Sequence, residues 1–290
     1  MKAASFTLHR PATLEEAVRL LSEFGDEGGL ILAGGQSLTP MMALRLAYPP
    51  HLVDINNINE LDSLTASDDH LLVGATVRHA HFHRPVEKAG QLGELLAQVV
   101  RYIAHYPIRL RGTFCGSIAH ADPASEWCMV AATLDARVRL MSTRGERTVA
   151  FDDYIESALS TTRAPDEILV ETHLPLLPKD AHYGFYEFSR RAGDFALGMA
   201  LTVYELDGNV MRNVRIGIGS IEMKPRRITA AEQALEGRAV SDEAFAAAAA
   251  ATVGSVNAMD DPSTPRSYRR DLSGVVVQRA LEASRTTATS

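Results

Sequence analysis

Cysteine is nearly absent from this chain: two residues in 290, Cys115 and Cys128. Two thiols exclude a disulfide framework, a four-cysteine zinc site and an iron–sulfur cluster held by this chain alone. No CxxC pairs them, which argues against a redox-active thiol. A basic excess is missing too. Lys and Arg number 29 against 36 Asp and Glu, a net charge of −7, which argues against a general nucleic-acid binder. No apolar run approaches the roughly 18 residues of a membrane span, and the opening MKAASFTLHRPATLEEA has no apolar signal-like core, so the expected setting is reduced and cytoplasmic. The GxGxxG fingerprint of a Rossmann dinucleotide site and the Walker A sequence are both lacking. So is any visible nucleophile–base pair or paired-carboxylate arrangement. An anionic ligand would therefore be held by backbone amides and one or two arginines.

What is present is an ordinary globular composition, 46% hydrophobic and 22% charged, long enough for one large domain or two to three small ones. Thr13-Leu14-Glu15-Glu16 is a capping box opening a helix that Gly25 stops. Leu30–Ala33 reads as a buried strand entering a glycine pair, Thr39-Pro40 as a short helix start, and His51–Ile55 as a second strand. Leu61–Val77 alternates like short strands around Asp68-Asp69. A helix is expected over Gln91–His105, followed by a loop IRLRGTFCGS and a helix over Pro123–Leu134, with Asp122 as its N-cap. Arg137–Met141 and Arg147–Phe151 read as a hairpin. Beyond Pro175 and Pro178 the texture changes to three strands, His182–Arg190, Ala196–Leu206 and Val210–Ser220, with a turn at Asp207-Gly208-Asn209. Three helices follow, Thr229–Leu235, Ser241–Val256 and about Tyr268–Ala283, and the closing RTTATS reads as a frayed end. The expectation is an α+β protein: residues 1–58 and 59–177 as two small subdomains, then 178–290 as an α+β domain with a three-stranded antiparallel sheet and a helix bundle.

Two stretches share one physical logic. AGGQS supplies Gly34, Gly35, Gln36 and Ser37; GTFCGS supplies Thr113, Phe114, Cys115, Gly116 and Ser117. Small residues permit close backbone approach, and successive amides turned the same way form a nest for phosphate. Each hydrogen bond to a charged partner contributes about 1.5–3 kcal/mol, so a few amides are enough.

AGGQSLTPMMALRLAYPPHLVDI resembles the AGG[HQ]SLLPxMxLRLxxPxxLVDI segment of the flavoprotein (medium) subunits of molybdenum hydroxylases. IRLRGTFCGSIAHADPASEW is similar to that family's IRNxGTxGGSxAHADPASDxP, and FYEFSRRAGDFAL to its FxExxRRxGDxA. The family includes the medium subunits of carbon monoxide dehydrogenase, quinoline 2-oxidoreductase and 4-hydroxybenzoyl-CoA reductase, with the FAD domain of xanthine dehydrogenase more distant. The resemblance runs the whole chain and implies a two-subdomain FAD-binding domain of the PCMH type, closed over by a C-terminal domain. It places Ile31, Leu32, Ala33, Gly34, Gly35, Gln36, Ser37 and Leu38 along the FAD pyrophosphate and ribityl chain, opposite Thr113, Phe114, Cys115, Gly116 and Ser117. Ala121 and Asp122 follow in the same motif. Ile103 and Leu169 fall at flavin or adenine contacts, Glu126 where an aspartate is usual, and Tyr186 or Glu187 near a further contact.

Two positions depart from the family pattern. Cys115 stands where glycine is usual; it is strained if the position needs positive φ, and otherwise narrows the pocket. Leu110 replaces the asparagine of IRN. Beside these, His79, His81 and His83 alternate, but helical spacing scatters them and no carboxylate or cysteine completes a metal site. His120 is either a flavin contact or a satisfied loop histidine. Arg190-Arg191 reads as an interface or cofactor pair, or as an exposed pair. The resemblance implies no catalytic residue and no metal on this chain, because a flavin carries its own chemistry. It implies instead a small subunit with [2Fe-2S] clusters, a large subunit with a molybdopterin cofactor, and a dimer of heterotrimers. A stand-alone FAD-dependent reductase or oxidase is the alternative enzyme reading; a scaffold subunit is the non-enzymatic one.

Overall fold

The computed structural model describes residues 2–285, so the RTTATS tail lies outside the described residues except for Arg285. Arg285 is tied down where fraying was expected. Its Nη2 donates to Asp242 Oδ1 at 2.6 Å and its guanidinium sits 4.6 Å over the Phe245 ring.

The first region holds β1 (Thr7–His9), α1 (Leu14–Phe24), β2 (Leu30–Leu32), α2 (Leu38–Ala43) and β3 (His51–Asp54), with the strands parallel in the order β1-β3-β2. Thr13 Oγ1 accepts from Glu16 N at 3.2 Å, and Glu16 reaches back to Ala12 N at 3.0 Å. Ala17, Val18 and Leu21 then form the buried stripe of α1. Register pairs Leu32 with Asp54, so AGGQS leaves from the carboxyl edge of a parallel sheet, the usual place for a ligand loop.

The second region runs β4 (Leu64–Ala66), β5 (His70–Gly74), α3 (Gly90–Val99), α4 (Tyr106–Arg109), α5 (Phe114–His120), α6 (Glu126–Thr133), β6 (Arg137–Ser142), β7 (Gly145–Ala150), α7 (Phe151–Tyr154), β8 (Ile155–Ser157), β9 (Ser160–Thr161) and β10 (Ile168–Pro175). Its main sheet has the antiparallel order β4-β5-β10-β6-β7. Three sequence expectations are corrected here. The helix predicted to His105 ends at Val99: Arg109 Nη1 takes the carbonyls of Arg101, Ile103 and Ala104, and Ala104 turns to a φ of 42°. GTFCGS is not a loop but the start of α5, because Thr113 caps it, its Oγ1 accepting from Gly116 N at 3.0 Å. The next helix begins at Glu126, not Pro123. Asp122 Oδ1 is used locally on Ala124 N at 2.8 Å, and Ser125 becomes the cap.

The third region contains β11 (His182–Ser189), β12 (Ala196–Asp207), β13 (Val210–Gly219), β14 (Arg226–Arg227), α8 (Thr229–Leu235), α9 (Asp242–Ser255) and α10 (Arg266–Ser284). The three predicted strands are joined by the two-residue β14, too short to carry a periodicity. Helices α8–α10 bury Tyr204, Phe245, Val276 and Leu281 on one face of this sheet. Against the opposite face lies α6, where a Cβ on Gly217 would overlap the Thr133 hydroxyl and come within 2.8 Å of Thr133 Cβ. The glycine is what lets helix and sheet meet so closely. Ser220 N also donates to Pro123 O at 2.8 Å, which fixes the Asp122–Glu126 turn against the third region.

Candidate cofactor-binding site

The two glycine stretches meet backbone to backbone. A Cβ on Gly34 would stand 2.7 Å from Gly112 Cα and overlap the Arg111 carbonyl, so position 34 admits only glycine. Gly35 follows with φ +70°, turning the chain into α2. A polar relay sets the approach. Asn56 Nδ2 donates to Ala33 O at 2.8 Å and to Asp54 Oδ1 at 2.6 Å; Arg78 donates to Asn56 Oδ1 at 2.5 Å and to the Arg111 carbonyl. Each loop is thus tied to the other through Asn56 and Arg78. Both residues were missed in the sequence, where neither forms part of a glycine motif.

Between the loops lies a cavity of about 390 Å³. Thirteen of the sequence-predicted residues line it: Ile31, Leu32, Ala33, Gly34, Gly35, Gln36, Ser37, Leu38, Thr113, Cys115, Gly116, Ser117 and Leu169. His120 lines it as well, and so do His79, Gly112, Arg163 and Glu167, which the sequence reading had not placed there. Among the described residues the backbone amides of Gly35, Gln36, Ser37, Thr113 and Cys115 have no hydrogen-bond partner in the protein. Five unengaged amides around one concavity, with no carboxylate among the predicted residues lining it, suit an anionic group. The cavity's one acid, Glu167, is already engaged. Arg147 binds it at 2.7 and 2.8 Å and holds its carboxyl below the usual range, while Arg163 donates to the Glu167 carbonyl at 2.8 Å. A second cavity, about 530 Å³ near Pro178 and β13, is larger but has no glycine cradle, and its Arg227 is already paired with Asp135 and Glu232.

Cys115 resolves differently from either sequence expectation. Its φ is not positive, and its thiol turns into the core, 3.2 Å from Val73 O and 3.3 Å from Thr172 Oγ1. Burial pushes the thiol up to about 12, so it stays protonated and unreactive. Cys128 is equally buried and pushed up to about 12. Phe114 also points away from the cavity, packed into the core against the tilted rings of Phe82 and Trp127. Ala121 is the left-handed cap of α5.

The remaining predicted residues gather elsewhere, around Arg109. Its guanidinium takes Ile103 O at 2.7 Å and His83 Nε2 at 3.1 Å, and its charge acts on Glu126 at the start of α6. Glu187 on β11 faces the same region. Burial lifts its carboxyl well above the usual range, and the neighbouring Glu126 lifts it further. Glu126 is raised by its own burial and by Asp122, against the pull of Arg109. Glu187 Oε2 is buried without a partner, an orphaned polar atom where the resemblance implies a further cofactor contact at Tyr186 or Glu187. Of the three histidines, His79 is buried, His81 is exposed and His83 bonds Arg109, so they face different surroundings. Arg190 and Arg191 are exposed, in the turn between β11 and β12.

Residues 4–177 match the family described as the FAD binding domain in molybdopterin dehydrogenase, and residues 183–284 the CO dehydrogenase flavoprotein C-terminal domain. The chain belongs to the FAD-binding medium subunits of the molybdenum hydroxylases. It is 36% identical to the nicotine 6-hydroxylase medium subunit of Paenarthrobacter nicotinovorans, over 97% of this chain and 98% of that one. It is 33% identical to the caffeine dehydrogenase subunit beta of Pseudomonas sp. strain CBB1, over 97% and 95%. Among solved structures it superposes on carbon monoxide dehydrogenase from Hydrogenophaga pseudoflava with a TM-score of 0.94 at 32% identity, covering 100% of both chains. Quinoline 2-oxidoreductase from Pseudomonas putida 86 gives 0.93 at 32%, covering 99% and 100%. This medium subunit is therefore an oxidoreductase component whose cofactor is FAD, and the glycine cradle with its five free amides fits that cofactor's diphosphate.

Proposed function

We propose that this chain is the electron-transfer subunit of a heterotrimeric molybdenum hydroxylase. When bound, FAD supplies the electron-carrying chemistry between the [2Fe-2S] clusters of a small subunit and an external acceptor. A large subunit with a molybdopterin cofactor would oxidise the substrate. The relatives named for nicotine, caffeine and quinoline favour a small N-heteroaromatic one. The observation that carries the reading is the pair of loops locked at Gly34 and Gly112, because only their contact gathers five unengaged amides.

Within that reading the chain's own residues divide the work. Gly35, Gln36, Ser37, Thr113 and Cys115 hold the diphosphate through their amides, and Leu32, Leu38 and Leu169 exclude water around the dinucleotide. Ile103, Asp122, Glu126 and Glu187 stand at the flavin end, with Arg109 balancing the acids. Residues 1–58, 59–177 and 178–290 act as two FAD-binding subdomains and a closing domain. The setting is cytoplasmic; among the described residues no helix is long and apolar enough to cross a membrane. Exposed Tyr106, Ile108, Leu110 and Phe195, with exposed Arg190 and Arg191, are the residues offered to partner subunits in a dimer of heterotrimers.

Expression with a tag on this chain alone, from its native operon, tests the assembly. Two further chains, iron and molybdenum should elute with it in constant ratio to FAD. A pure, FAD-loaded single chain turning over a reductant would favour the stand-alone reductase instead.

A further inference from the structure

His79 follows β5 and is 4% exposed, yet its ring lines the cofactor cavity. Trp127 Nε1 donates to His79 Nδ1 at 2.9 Å. An indole nitrogen can only donate, so Nδ1 must be the acceptor, and a neutral imidazole that accepts at Nδ1 carries its hydrogen on Nε2. Trp127 is itself fully buried, packed against Phe114 at 4.9 Å and Phe82 at 5.4 Å between ring centres. The tautomer is therefore set by a packed core residue. At the other ring edge, Nε2 lies against Gly112: a Cβ there would come within 2.6 Å of it. Among the described residues no protein atom accepts from Nε2. The cation is not an alternative. Burial, with the positive charges of Arg109 and Arg78, pushes the imidazole down to about 3.

We propose that His79 is a positioning residue of the FAD site, its Nε2–H, held in that tautomer by Trp127, donating to a diphosphate oxygen beside Gly112. The inference rests on the placement of the diphosphate proposed above. It assigns the site a side-chain donor to add to the five amides, and it gives Trp127 a role exercised wholly through another residue. A neutral donor also keeps FAD affinity free of an imidazole ionisation step. The charged or titratable groups around the ring are Arg78 and Arg109, with His120, Arg163 and Glu167 lining the same cavity.

The test is a titration of FAD into the full chain stripped of flavin, followed by flavin fluorescence, together with nitrogen-15 spectra of the histidines. His79→Leu should raise Kd about 10-fold or more, the loss of one hydrogen bond to a charged group. His79→Gln, whose amide nitrogen can occupy the Nε2 position, should recover most of that. The wild-type spectrum should show the Nε2–H tautomer, with its proton resonance shifting when FAD is added, and Trp127→Phe should convert it to a mixture. Wild-type affinity in His79→Leu, an Nδ1–H tautomer, or an Nε2–H resonance that FAD leaves unmoved would overturn the assignment. If His79→Leu fails to fold, the wild-type spectrum with and without FAD decides alone. Gly34→Val separates the two claims. If it loses FAD while His79→Leu binds normally, only the histidine's role falls; if it binds FAD normally, the placement of the diphosphate falls with it.

Discussion

At the residue scale the site depends on side chains that are absent as much as on those present. Gly34 was legible as part of a motif, but the reason it must be glycine was not: its neighbour is Gly112, 78 positions away, and only the fold brings them together. Gly34→Ala should therefore release FAD from the purified chain while the far-ultraviolet circular dichroism and the unfolding of the third region stay unchanged; retained flavin would contradict the cradle. Cys115 was legible as a departure, but the direction of its side chain was not: the residue lines the cavity while its thiol turns inward, because α5 starts there. Glu187 gives a pH prediction. Its folded pKa is raised above the ordinary 4.5, so its contribution to stability is present below that value and is lost as pH rises through the raised one. Glu187→Gln should match wild type near pH 5 and melt about 2–4 °C higher at pH 8 in the flavin-free chain, a gain near 1 kcal/mol. A difference that does not grow with pH would contradict the account.

At the element scale, local signals worked where they were chemically complete. The capping box of α1, the hairpin of β6 and β7, and the strand–turn–strand of β12 and β13 all form where turn residues and periodicity agree. They failed where a distant group intervened. Arg109 withdraws the carbonyls that would have continued α3, and the Asp122 side chain is spent on Ala124, so α6 starts three residues late. Ser125, not Asp122, is thus the cap that matters to α6: Ser125→Ala should destabilise the chain by about 1 kcal/mol in thermal unfolding. Asp122→Ala should be milder. The reverse order would return the cap to Asp122. The seat of α6 on the third sheet rests on Gly217, and Gly217→Ala should cost about 1–3 kcal/mol by driving a methyl group into Thr133. A neutral substitution would mean that helix and sheet are free to separate.

At the scale of the whole molecule, the proposed site lets an acidic chain poor in cysteine hold an anionic cofactor without a basic groove, by folding two short backbone stretches against each other. The first region supplies one stretch from the carboxyl edge of a parallel sheet, the second supplies the other at the start of α5, and α6 carries the second region onto the third. Composition alone excluded clusters on this chain, and that division of labour agrees with membership among medium subunits. The most direct measurement is a crystal structure of the full chain reconstituted with FAD. The diphosphate should lie between the amides of Gly35–Ser37 and those of Thr113 and Cys115, beside Gly112. A diphosphate anywhere else, or amides in that cradle left without a phosphate oxygen, would contradict it.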